Sequence, residues 1–140
     1  MTRIKSHWFF FLLITTVLNM STYALQKQRK ILVFSKTAGY RHASSIEAGK
    51  KYIIELGKKN KFSVDTTELA DAFTPQNLKQ YAAVVFLCTT GNVLNEQQQQ
   101  AFEQFIRGGG GYLGLHSAAD TEYDWPWFGE LKTPSPSNAP

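Results

Sequence analysis

The sequence predicts an α/β domain: a three-layer, doubly wound parallel sheet of flavodoxin-like form. Three observations carry that prediction. Short continuous apolar runs at 31–34 (ILVF) and 82–87 (AAVVFL) are rich in strand formers and do not alternate, as strands buried on both faces require. Segments of helical period stand between such runs, with their own start and stop residues. The length of 140 residues suits one domain of this kind rather than two. Strands alternating with helices imply right-handed crossovers and helices on both faces of the sheet.

The elements follow in order. The strand at 31–34 ends at Ser35, and a polar loop, KTAGYRH, runs to His42. Ser44 and Glu47 form an S-x-x-E capping box that predicts a helix start. Ile46, Ile53 and Leu56 are expected on its inner face, with Gly57 near its end and Lys58 and Lys59 in its last turn. Residues 62–66 (FSVDT) alternate and read as a second, more exposed strand. Thr74-Pro75 supplies a hydroxyl cap and a first-turn proline for a short helix reaching about Gln80. The run at 82–87 is the clearest buried strand. Asn95 then caps a helix to Arg107, with Phe102, Phe105 and Ile106 facing inward and the four glutamines 97–100 on its solvated side. Gly108 ends it, and 111–115 (GYLGL) forms a fourth strand. Residues 121–128 (TEYDWPWF) read as aromatic and irregular, and 132–140 as a polar, disordered tail with three prolines.

Composition narrows the function. The chain carries 15 Lys+Arg against 11 Asp+Glu, a formal charge of +4. Arg3 and Lys5 lie in the first 24 residues, which hold no acid. The small remaining surplus is spread along the chain, so no nucleic-acid partner is expected. A single cysteine, Cys88, excludes an internal disulfide and a cysteine zinc site. At the N-terminus a basic start, an 11-residue apolar stretch from Trp8 to Leu18 and a polar segment ending at Ala24 make a secretory signal peptide. The apolar stretch is too short to span a bilayer. The chain is therefore expected to be exported, to the periplasm or beyond, with no stable membrane anchor and a mature start at Leu25.

Two motifs dissolve on inspection. Gly109, Gly111 and Gly114 spell G-x-G-x-x-G, but they follow a helix and enter a strand. A dinucleotide loop needs the reverse order, because the helix N-terminus holds the pyrophosphate. The segment Gly114-Leu115-His116-Ser117-Ala118 sits where a nucleophile elbow would sit, but with His116 at the elbow position. Ser117 is one residue off, and Cys88 reads as a small buried thiol.

Position is more informative. Parallel α/β sheets bind ligands outside the carboxyl ends of their strands. Three loops there carry Arg41 and His42, then Thr89 and Thr90, then His116 and Asp120 followed by Tyr123, Trp125 and Trp127. Imidazoles move protons near neutral pH, arginine grips oxyanions, and aromatic rings suit the apolar faces of sugars. His116 and Asp120 are the acid/base candidates. Arg41, His42, Thr89, Thr90, Tyr123, Trp125 and Trp127 are the ligand-binding candidates. Each histidine also admits a scaffold role, and the tryptophans can equally seal the sheet edge. His116 and Asp120 alone are too few to define a metal site, so no metal and no cofactor are expected.

The strings VFSKTAGYRHASSIEAG (33–49) and VVFLCTTGNVLNEQQQQAFEQFIRGGGGYLGLHSAADTEYDWPWFGEL (84–131) resemble the ThuA-like, or trehalose-utilisation, domain. The run H-S-A-A-D-T-E-Y-D-W-P-W is the most specific part. The resemblance implies a class I glutamine amidotransferase-like fold without the amidotransferase cysteine, as His116 at the elbow agrees. It implies a carbohydrate ligand, trehalose-like or an oxidised disaccharide. The family's domain continues beyond the W-P-W segment, so the division expected is a signal peptide at 1–24, the N-terminal part of a ThuA-like domain at 25–131, and a tail at 132–140. An incomplete sheet would leave an apolar edge open to self-association. The residues do not decide between an enzyme, a non-catalytic sugar-binding module and an inactive gene fragment.

Overall fold

A computed structural model describes residues 29–132. Residues 1–28, where the signal peptide is expected, and residues 133–140 lie outside the described residues. Four strands form one parallel sheet in the order β2-β1-β3-β4: β1 (Lys30–Phe34), β2 (Ser63–Thr67), β3 (Ala83–Leu87) and β4 (Gly111–Leu115). Helix α1 (Ala43–Asn60) joins β1 to β2. A 3-10 turn (Ala70–Ala72) and the short α2 (Pro75–Leu78) lead to β3, and α3 (Glu96–Arg107) joins β3 to β4. A second 3-10 turn (His116–Asp120) and α4 (Pro126–Lys132) close the described chain.

The pleat sorts side chains to two faces, and each face has its own core. Val33, Val85 and Leu87 meet Ile46 and Ile53 of α1 on one side. Leu32, Phe34, Val84 and Phe86 meet Leu78, Phe102 and Phe128 on the other. Helices therefore cover both faces, which gives the expected three layers. The second core is aromatic. Phe34, Phe73, Phe86, Phe102 and Phe128 are all essentially without solvent contact. Phe86 lies 5.3–5.9 Å from Phe34, Phe73, Phe102, Tyr112 and Phe128, mostly edge to face. Burial of each such ring is worth about 1.5–3 kcal/mol, and good ring geometry adds about 0.5–1.5 per pair.

Helix ends follow the sequence in two cases and depart from it in one. Thr74 Oγ1 accepts from the Asn77 N–H, and Asn95 with Gln98 forms a complete capping box. At α1, however, the N-cap is His42 rather than Ser44, and no side chain caps it. The Ile46 N–H already bonds the His42 carbonyl at 2.9 Å. Contacts from the preceding loop to Thr90 hold the chain at that turn. The inner face of α1 also differs from expectation. Leu56 is 38% exposed, and Gly57 is buried in its place. At about 100° per residue Gly57 lies about 20° from Ile46 round the helix, whereas Leu56 lies about 80° away. A Cβ on Gly57 would stand 2.7 Å from the Phe62 carbonyl oxygen, so α1 approaches β2 where a side chain would not fit. Gly109 and Gly110 form the turn into β4, as a helix-to-strand connection rather than a dinucleotide loop. The W-P-W segment is only partly irregular: Pro126 opens α4, and Lys132, expected in the tail, closes it. No helix among the described residues is long and apolar enough to cross a membrane.

Candidate functional site

The strand order reverses between β1 and β3. From β1 the chain leaves to α1 on one face, and from β3 it leaves to α3 on the other. Loops that part in this way open a crevice at the carboxyl edge, the place where such sheets bind ligands.

The post-β3 segment is the spine of this edge. The Ala38 N–H bonds the Thr90 carbonyl at 2.8 Å, and Thr90 Oγ1 donates to the Tyr40 carbonyl at 3.0 Å. On the other flank the Gly91 N–H bonds the Asp120 carbonyl at 2.8 Å, and the hydroxyls of Thr89 and Thr121 pair at 2.7 Å. Thr89 and Thr90 are buried, and their hydroxyls are engaged in joining the loops.

The structure brings His42 and His116 together. Their ring centroids are 4.4 Å apart, edge to face, and Tyr40 stands 4.7 Å from His42. His116 is exposed, as is Asp120 four residues on. Arg41 makes a two-pronged bond to Glu68, at 3.0 and 2.9 Å, and Lys50 reaches the same carboxylate at 2.7 Å. Arg41 and then Lys50 hold the Glu68 carboxyl below its ordinary range, and Glu68 in turn raises Arg41. Tyr123 is exposed, with its N–H on Asn92 Oδ1. The tryptophans lie elsewhere. Trp125 is buried and stacked on Phe128, and Trp127 packs against Trp125 beneath the Arg107 guanidinium. Arg107 ends α3, far along the helix from its carboxyl-edge start, so Trp127 sits toward the amino ends of the strands. Cys88 is buried, and burial pushes its thiol up.

Backbone strain gathers at this edge. Three of the four non-glycine residues with positive φ among the described residues are Cys88 (54°), Glu122 (56°) and His116 (59°). Such conformations cost on the order of 1–2 kcal/mol each and persist where the surroundings enforce them.

Two groups of residues were not legible in the sequence. The first is Glu122, which is 1% exposed. Its Oε1 accepts from the N–H groups of Val93 and Leu94 at 2.7 and 2.8 Å, and its Oε2 accepts from Gln99 at 2.7 Å. It fastens the loop before α3 to the segment after β4. The second is a cleft of about 480 Å³, where Lys36 and Asn92 of the expected loops after β1 and β3 meet Glu68, Leu69 and Asp71, residues after β2 that the sequence did not point to. No spacing signals either one, because the partners come from different loops. Among the described residues no group of three or more His, Cys, Asp or Glu is placed to hold a metal ion.

Fold and site together define a class: a doubly wound α/β protein with a polar crevice and a histidine pair at the carboxyl edge of its sheet. The family model for ThuA, described as trehalose utilisation, matches residues 30–135. The chain belongs to this family. Among solved structures it resembles a ThuA-like protein from Bacteroides uniformis, with 24% identity and a TM-score of 0.62. That likeness covers 76% of this chain and 44% of the other, so the chain spans less than half of that neighbour's length. A search of the curated proteins finds no match.

Proposed function

We propose that the carboxyl edge binds a trehalose-like or oxidised disaccharide, and that the paired imidazoles of His42 and His116 handle its protons. The observation that carries this reading is the 4.4 Å contact between the two rings. Both come from loops after different strands, and His116 is held there at a strained φ of 59°. A neutral imidazole accepts a proton from a sugar hydroxyl, and its protonated neighbour donates one to a leaving or carbonyl oxygen. Tyr40, 74% exposed beside His42, offers the aromatic plate that the tryptophans, packed against Phe102 and each other, do not. Asp120 adds an acceptor at the rim. The family's description as trehalose utilisation supports the ligand class.

Binding of trehalose to the chain, measured calorimetrically, tests the reading. His116→Gly is the suitable variant, because glycine adopts positive φ without strain. The expected result is at least about a tenfold loss of affinity, the equivalent of one charge-assisted hydrogen bond, with the melting temperature unchanged or raised. Intact affinity with a large loss of stability would make His116 a scaffold residue. The N-terminal 24 residues carry the export reading. In a Gram-negative host, mass spectrometry is expected to find the periplasmic protein starting at Leu25.

A further inference from the structure

We propose that the cleft at the β1/β3 switch point holds one ring of the disaccharide, with Lys36 and Asp71 contacting its hydroxyls, while the histidine pair meets the other ring. The inference rests on the carbohydrate reading above. Its first support is place. The cleft is lined from the ends of three strands: Lys36 after β1, Glu68 to Asp71 after β2, and Asn92 to Asn95 after β3. That is the crevice where strand order reverses. Its second support is size. A volume of about 480 Å³ lies in the range of small-molecule sites.

Its third support is chemistry. Glu68 is already paired with Arg41 and Lys50, Asp71 disfavours an anion, and the Lys36 ammonium disfavours a simple cation. A neutral polyol satisfies both, since each hydroxyl donates and accepts. Lys36 Nζ gives one proton to the Val93 carbonyl at 3.0 Å, which leaves two for a ligand. Among the described residues the Asp71 carboxylate accepts only a long bond, 3.5 Å from Gln98 Nε2, which leaves most of its acceptor capacity open toward the cleft. Leu69, 71% exposed on the wall, supplies an apolar surface for the ring's C–H face. Finally, the cleft and the loop that carries His42 share one side chain. Glu68 lines the cleft and grips Arg41, the residue before His42.

The test is calorimetry with trehalose on the full chain and on Asp71→Ala, Lys36→Met and His116→Gly, each checked by thermal melting. Asp71 is exposed, so its variant keeps the fold even if Lys36→Met does not. The expected result is a loss of affinity of about tenfold or more for each cleft variant that melts like the parent. Wild-type affinity in Asp71→Ala, with binding lost in His116→Gly, overturns the cleft assignment and leaves the carbohydrate reading standing. Trehalose left unbound by the parent chain overturns both.

Discussion

Glu122 shows what a single side chain does at this edge. Its carboxylate is buried, yet both oxygens are satisfied by N–H donors. A buried donor left without its partner costs about 1–3 kcal/mol. Glu122→Ala strands the N–H groups of Val93 and Leu94 together, so a loss on the order of 2–4 kcal/mol is expected from urea denaturation. Glu68 is the pH-dependent counterpart. Its carboxyl lies below the ordinary 4.5 because Arg41 and Lys50 hold it. As pH falls, the unfolded chain takes up the proton first. The stability Glu68 contributes is therefore whole above about pH 4.5 and lost as pH drops through the lower folded value. The melting temperature of the parent is expected to exceed that of Glu68→Gln at neutral pH. The two should converge in acid, and a constant gap would contradict the assignment.

At the scale of elements, close approach decides the packing of α1. Ile46, Gly49, Ile53 and Gly57 form one stripe, and its glycines let the helix settle on the sheet. A Cβ on Gly49 would meet the end of Leu87, a side chain that can turn away. A Cβ on Gly57 would meet the Phe62 carbonyl at 2.7 Å and Val64 Cγ2 at 2.8 Å. Backbone cannot yield as a rotamer does. Gly57→Ala is therefore expected to destabilise by about 1–3 kcal/mol despite its better helix propensity, read from chemical denaturation. The ion cluster of Arg41, Lys50 and Glu68 ties the loop before α1 and the middle of α1 to the residue after β2.

The molecule as a whole has an uneven sheet. β1 and β3 are paired on both sides, whereas β4 has β3 alone among the described strands. Its face toward the α1 layer is open too, since Leu113 is 50% exposed. Unpaired edges beside exposed apolar side chains favour association. Sedimentation of the 140-residue chain is expected to show association that grows with concentration. Leu113→Lys should weaken it, and a monomer at all concentrations would exclude this edge as a contact.

The alternation of buried runs with capped helices was legible in the residues because it is local. Strand spacing, the Thr74 and Asn95 caps and the α/β class all follow from periods and caps within a few positions. The loops after β1, β3 and β4 were also legible as a set, since parallel strands put their carboxyl ends on one edge. Tertiary structure alone decided which side chains on those loops face the crevice. It turned His116 toward His42 through a positive φ and drew Trp125 into the core. It committed the Thr89 and Thr90 hydroxyls to neighbouring loops. It also paired Glu122 with N–H groups 28 and 29 residues away. Even the slip from Leu56 to Gly57 has this origin. Periodicity marks a stripe on a helix, but the surface the stripe must meet is built by strands distant in sequence.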